Sequence, residues 1–140
     1  MENITELSFP LGIGALSGAT GCSAETIRYY EQQGLLTEAW RTEGGHRKYN
    51  REHFKMLMFL LRAKHLGFSQ NDVRLLVEMA DPARTNCDNV QKLADQQLVV
   101  VKKKITNLRK LEKSLQDLVA NCESEGAMAD CPMIDSLLYD

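Results

Sequence analysis

Apolar residues recur at intervals of three and four along the second half of this 140-residue chain. Leu98, Val101, Ile105 and Leu108 follow that spacing, and Leu111, Leu115 and Leu118 repeat it, with Lys102, Lys103, Lys104, Arg109 and Lys113 around them. No Gly or Pro occurs from residue 88 to residue 121, so the pattern predicts one unbroken helix with a narrow apolar stripe. Such a stripe with charged flanks suits a coiled coil better than a globular core, and a helix of this kind is poorly buried alone. A second copy of the chain is the expected partner, which gives a homodimer.

The pattern before residue 81 predicts shorter elements. Residues 11–17 read as a first helix ended by Gly18, followed by Thr20, Gly21 and Cys22. Ser23 can cap a second helix, "AETIRYYEQQ", with Glu25 in its first turn where the dipole favours an anion, and that helix stops before Gly34. Two short helices across a Gly-containing turn outline a helix-turn-helix, an outline that many small helical domains share. In "RTEGGHRKYN" the paired Gly44 and Gly45 mark a tight hairpin whose arms carry Arg41, Arg47 and Lys48. A basic hairpin beside a helix-turn-helix is a wing. Residues 51–64 return to helical periodicity, with Phe54, Leu57, Met58 and Leu61 as the expected buried stripe. Gly67 then ends that helix, Ser69 and Asp72 resemble a capping pair for "DVRLLVEMA", and Asp81 with Pro82 closes the element.

Composition narrows the setting. Twenty consecutive apolar residues occur nowhere, so no transmembrane helix is expected. The opening "MENITELSFPLGIG" lacks a basic region before an apolar run, so a cytoplasmic location is expected, with the four cysteines as thiols rather than disulfides. The formal charge of −2 does not advertise nucleic-acid binding, yet residues 20–74 hold nine basic against six acidic side chains and the tail after residue 120 is acidic. An enzyme is not expected, because no cysteine has an obviously positioned histidine and there is no phosphate-binding loop.

The segments "ETIRYYEQQGLL", "RTEGGHRKY" and "RAKHLGFSQNDVRLLV", with a long helix ending in a cysteine loop, resemble the MerR family of bacterial transcriptional regulators over nearly the whole chain. The resemblance implies a mainly α fold with a winged helix-turn-helix DNA-binding domain at residues 9–80. It implies a dimerisation helix with its linker at 81–121, paired as an antiparallel coiled coil, and a metal-binding loop with a short C-terminal helix at 122–140. Promoter double-stranded DNA and RNA polymerase are the implied partners. The promoter would have an overlong spacer, held by the dimer and untwisted when the effector arrives. The family's metal sensors carry one cysteine just before the long helix and two in the terminal loop, and Cys87, Cys122 and Cys131 fall on those places. The run from 118 to 137, including "CPMIDSL", looks most like the mercury sensors, with lead, cadmium and zinc sensors close. Copper-group sensors have serine at the first position, so Cys87 argues against a monovalent metal.

Helix length then constrains the thiols. Cys87 and Cys122 are separated by 35 residues of mostly helix, roughly 50 Å at 1.5 Å per residue. They cannot share an ion within one subunit unless the helix breaks. In a two-fold antiparallel pair, Cys87 of one chain and Cys122 with Cys131 of its mate can meet, and symmetry makes two such sites. Gly126 permits the turn between the loop thiols, and Pro132 favours an extended Cys131 followed by a short helix, "PMIDSLLY". Three thiolates select soft ions; Hg(II) and Pb(II) accept three sulfurs, whereas Zn(II) ordinarily takes a fourth ligand. No obvious fourth ligand stands beside the cysteines, although Asp88, Glu123, Glu125 and Asp130 are nearby candidates, so Hg(II) is favoured, with Pb(II), Cd(II) and Zn(II) retained. A redox or electrophile sensor on the same fold would use the thiols without metal.

The remaining residues of interest divide between packing and DNA. Cys22 reads as a packing residue of the turn. Thr26 and Arg28 lie on the exposed part of the second helix and can reach major-groove edges, while Arg41, Arg47 and Lys48 grip phosphates, together with some of Tyr29, Tyr49 and Arg62. His46 is expected to face DNA from the wing, and His53 and His65 to be solvated. Of Tyr29, Tyr30 and Tyr49, at least one is expected to pack in the small domain.

Overall fold

In the computed structural model, residues 3–81, 83 and 86–121 are described, so the expected loop and short helix at 122–140 lie outside the described residues. After a single 3-10 turn at Ile4–Glu6, the elements are α1 (Ile13–Thr20), α2 (Ala24–Gln32), β1 (Trp40–Arg41), β2 (Arg47–Lys48), α3 (Arg51–His65), α4 (Gln70–Ala80) and α5 (Cys87–Asn121). The chain forms two compact units, Met1–Arg84 and Thr85–Asp140.

In the first unit, α1 runs through Gly18, the expected stop, and ends at Gly21. The reason lies in the backbone. Gly21 adopts φ 76°, the left-handed conformation that closes a helix, and its N–H donates to the Ser17 carbonyl at 2.9 Å. Gly18 has no positive φ and stays helical. The Thr20 hydroxyl donates back to the Leu16 carbonyl at 2.8 Å and accepts from the Cys22 N–H at 3.2 Å, leading the chain into the turn. Ser23 caps α2 as expected by accepting from the Thr26 N–H at 3.2 Å. At the other end, Gly34 at φ 72° lets the Leu35 and Leu36 amides return to the Tyr30 carbonyl at 3.0 and 3.2 Å.

The wing is an antiparallel hairpin with Trp40 opposite Lys48 and Arg41 opposite Arg47. Its turn is closed by Thr42 and His46, with Gly45 at φ 79°. Just beyond β2, Tyr49 exchanges both backbone hydrogen bonds with Leu11 at 2.8 Å, so the segment before α1 lies against the end of the wing.

Asn50 caps α3, accepting from the His53 N–H at 3.0 Å, while His53 Nδ1 accepts from the Asn50 N–H at 3.0 Å. This reciprocal pair corrects the expectation of a solvated His53. The ring is 95% buried because it closes the capping box and meets Tyr49 edge to face, with ring centroids 5.4 Å apart. His65 is exposed, as expected. Along α3, Phe54 and Leu57 are buried and Met58 and Leu61 partly so, while Leu60, which the predicted stripe omitted, is among the deepest residues. Leu16, Ile27, Leu36, Tyr49, Leu57 and Leu60 form the centre of the core. Each aliphatic member contributes about 1.5–3 kcal/mol by leaving water. Ser69 caps α4 through the Asp72 N–H at 3.1 Å, and Asp81 closes it.

In the second unit, α5 is a single helix of 35 residues, beginning one residue before the predicted start. Asn86 precedes it and accepts from the Asn89 N–H at 2.9 Å. Along the predicted stripe Leu98, Ile105, Leu108 and Leu115 are exposed, while Val101, Leu111 and Leu118 are half-buried. Among the described residues no helix is long and apolar enough to cross a membrane.

Candidate nucleic-acid interface

The two helices of the helix-turn-helix present α2 with one face inward and one outward. Ile27 and Tyr30 are buried, and Glu25, Arg28, Tyr29 and Gln32 are exposed. That division follows from the 3.6-residue period, since residues 27 and 30 share one side. Thr26 is half-buried and its hydroxyl lies 2.9 Å from that of Ser23, so it belongs in part to the cap. Tyr29 is exposed along its ring and its hydroxyl accepts from Gln70 Nε2 of α4 at 3.1 Å.

On the wing, Arg41 and His46 are exposed and Lys48 is half-buried; Arg62 is exposed on α3. Arg47 and Tyr49 turn the other way, toward Glu31 in the last turn of α2. Arg47 Nη1 lies 3.4 Å from Glu31 Oε2. The Tyr49 hydroxyl donates to Glu31 Oε1. The same Oε2 also accepts from the Ala39 N–H at 3.4 Å. Tyr49 is fully buried, which corrects its assignment as a phosphate contact: its side chain is enclosed and its one polar atom already has a partner. Burial pushes the Tyr49 phenol up to about 12, and the hydrogen bond to Glu31 acts in the same direction. Burial also raises Tyr30, with smaller contributions from Cys22 and Tyr29.

Glu31 had no role in the sequence reading. The available signal was its position, because a carboxylate in the last turn of a helix meets the negative end of the dipole and needs local donors.

Of the thiols, Cys22 is buried in the turn between α1 and α2, where its Sγ donates to the Ser23 carbonyl at 3.7 Å. Burial pushes this thiol up from its ordinary value, against a smaller opposing effect of Lys64, in keeping with a packing role. Cys87 is exposed and opens α5. Cys122 and Cys131 lie outside the described residues, and no group of three metal-ligating side chains occurs among the described residues.

Two family models match the chain: "MerR family regulatory protein" over residues 12–49 and "MerR, DNA binding" over residues 54–118. A mercuric resistance operon regulatory protein of Serratia marcescens is 34% identical over 98% of this chain and 89% of its own length. A transcription regulator from Ralstonia metallidurans, solved in complex with lead(II), is 32% identical with a TM-score of 0.54, over 91% of this chain and 98% of that one. A MerR family regulator lacking its sensor domain, solved bound to promoter DNA, is 25% identical with a TM-score of 0.61, over 80% of this chain and 85% of that one.

Proposed function

Because the chain belongs to the MerR family of DNA-binding transcriptional regulators, we propose that it is a soft-metal sensor that holds a promoter as a homodimer and activates transcription by distorting the DNA. Arg28 on the open face of α2 reads base edges, with Thr26 beside it. Arg41, His46 and Lys48 on the wing and Arg62 on α3 meet phosphates, and Tyr29, next to Arg28 in α2, offers an exposed ring. Two heads on one dimer call for two half-sites in a pseudo-palindromic operator. RNA polymerase is the partner that gains access when an overlong spacer is untwisted.

The observation that carries the sensing arrangement is the unbroken α5. Its 35 residues extend about 52 Å, so Cys87 at its start is far from the chain position at which Cys122 follows its end. An antiparallel pairing through Leu98, Ile105, Leu108 and Leu115, all exposed in the single chain, would bring each Cys87 to the partner's terminal segment. There Cys87 of one chain and Cys122 with Cys131 of the other make a trithiolate site, twice per dimer. The exposed Cys87 thiol fits a ligand role, and an all-sulfur donor set suits Hg(II) best, with Pb(II), Cd(II) or Zn(II) as the other ions to be tried. Held by these cysteines, a soft ion would link the two chains, and it would shift the promoter complex only insofar as it favoured one arrangement of them over another. The Serratia relative, named for mercuric resistance, supports the choice of ion and aligns over nearly the whole chain.

A mixed dimer tests the arrangement. One chain carries Cys87→Ser and the other Cys131→Ser. With sites built in trans, one end of the dimer combines both defects and the other retains all three thiols, so one Hg(II) binds tightly per dimer while neither parent homodimer binds with native affinity. The arrangement fails if a folded mixed dimer has no tight site. Transcription from the cognate promoter across a panel of metals identifies the inducer, and a response to oxidants without metal would instead identify a redox sensor.

A further inference from the structure

We propose that Glu31 is a positioning residue for DNA binding, tying the recognition helix α2 to the wing so that the two present their contacts together. The inference rests on the reading of α2 and the wing as the DNA-contacting elements.

Three donors converge on this one carboxylate, whose side chain is only 6% exposed. The Tyr49 hydroxyl reaches Oε1, and Arg47 Nη1 and the Ala39 N–H both reach Oε2 at 3.4 Å. All three come from the segment that follows α2. Ala39 stands immediately before β1, Arg47 lies in β2 and Tyr49 follows β2. The hairpin itself has two paired positions on each strand, and a hairpin that small is marginal without outside support. Its direction relative to α2 is therefore set by what holds it from beneath.

Side-chain alternation carries the effect outward. Arg47 and Tyr49 face Glu31, so Lys48 between them falls on the opposite face, beside Trp40 across the ladder. Fixing the inward pair fixes the outward cation. Tyr49 is fully buried, so an effect of its hydroxyl on DNA binding passes through the groups it bonds, Glu31 and the Arg47 guanidinium that shares the same carboxylate.

The test uses the full-length dimer and a duplex selected by the wild-type protein from a random-sequence pool. Tyr49→Phe removes the hydroxyl and keeps the ring, while Glu31→Gln keeps size and turns one acceptor into a donor facing donors. Each single variant is expected to weaken duplex binding roughly three- to tenfold, and the double variant by no more than the larger single loss, because both break one device. Trp40, the only tryptophan and half-exposed on β1, should become more accessible to acrylamide quenching in the free variants, reporting a loosened wing. A role confined to stability would lower the melting temperature and leave both readouts of the folded protein unchanged. Wild-type duplex affinity in both single variants overturns the proposal, as does strict additivity in the double. If Glu31→Gln does not fold, Tyr49→Phe alone decides, by its affinity and its Trp40 quenching. Arg28→Ala and Lys48→Ala separate the levels. Loss of affinity in these two with none in Tyr49→Phe or Glu31→Gln sinks the positioning role only, whereas wild-type affinity in all four sinks the interface reading and the inference with it.

Discussion

Arg74 of α4 donates from Nη1 to the carbonyl oxygen of Gln33, 3.1 Å away at the C-cap of α2. That carbonyl is among those a helix end leaves without an internal partner, and a guanidinium there also complements the negative end of the dipole. With Gln70 on the Tyr29 hydroxyl, it holds the far end of α2 from the side of α4. Arg74→Ala is expected to cost about 0.5–1.5 kcal/mol of unfolding free energy, since the bond is solvent-exposed, and to speed amide exchange in the last turn of α2 selectively. Denaturant unfolding and hydrogen exchange measure the two effects; uniform exchange across the unit would deny the local role.

Tyr49 makes stability fall at alkaline pH. Its phenol is held up at about 12 in the folded protein against an ordinary 10.0, so the folded state favours the neutral form. The stabilisation is fully present below pH 10 and is lost as the pH rises from there through about 12. Tyr49→Phe should lose less stability than wild type across that interval, and ultraviolet titration should show one fewer late-ionising phenol. Equal losses in both proteins would contradict the assignment.

How much of this was legible beforehand depended on the range of each signal. Ser23, Ser69, Gly34 and the Gly44–Gly45 turn act within a few residues of themselves, and their elements stand where the pattern put them. Gly18 and Gly21 show the limit of residue type. Both are glycines near the end of α1, but only the second takes the left-handed conformation that stops it. His53 departs from its expected solvated place because it fills the third position of a capping box, where Glu or Gln is usual, three residues after the Asn50 cap. Glu31 and Tyr49 are 18 residues apart, and no local pattern announces that contact. The sequence therefore leaves Tyr29, Tyr30 and Tyr49 open between packing and phosphate, and the fold assigns Tyr49 to packing.

Cys22 should resist alkylation in the native protein. It is buried, its Sγ is directed at the Ser23 carbonyl, and burial disfavours the thiolate that would react. Brief iodoacetamide treatment followed by peptide mass analysis is expected to label Cys87 well ahead of Cys22, with Cys22 catching up only in denaturant. Early labelling of Cys22 would reopen a redox role for it.

The stripe on α5 should govern assembly. Leu108 is 62% exposed in the single chain, and burying such a side chain is worth about 1.5–3 kcal/mol, counted once on each chain of a symmetric dimer. Because only the exposed part of each side chain is newly buried, Leu108→Glu is expected to weaken dimerisation by at least about twentyfold and operator binding with it, read by analytical ultracentrifugation. An unaltered dimer would place the contact elsewhere.

A helix of 35 residues free of Gly and Pro is also a stiff rod, and rods convert rotation into travel. A shift of about 1 Å across one 5.4 Å turn corresponds to a tilt of roughly ten degrees, and over about 52 Å that tilt carries the far end some 9 Å. Gearing of this kind lets a displacement of about 1 Å at one tip become, at the other, a movement equal to between two and three base-pair steps of about 3.4 Å.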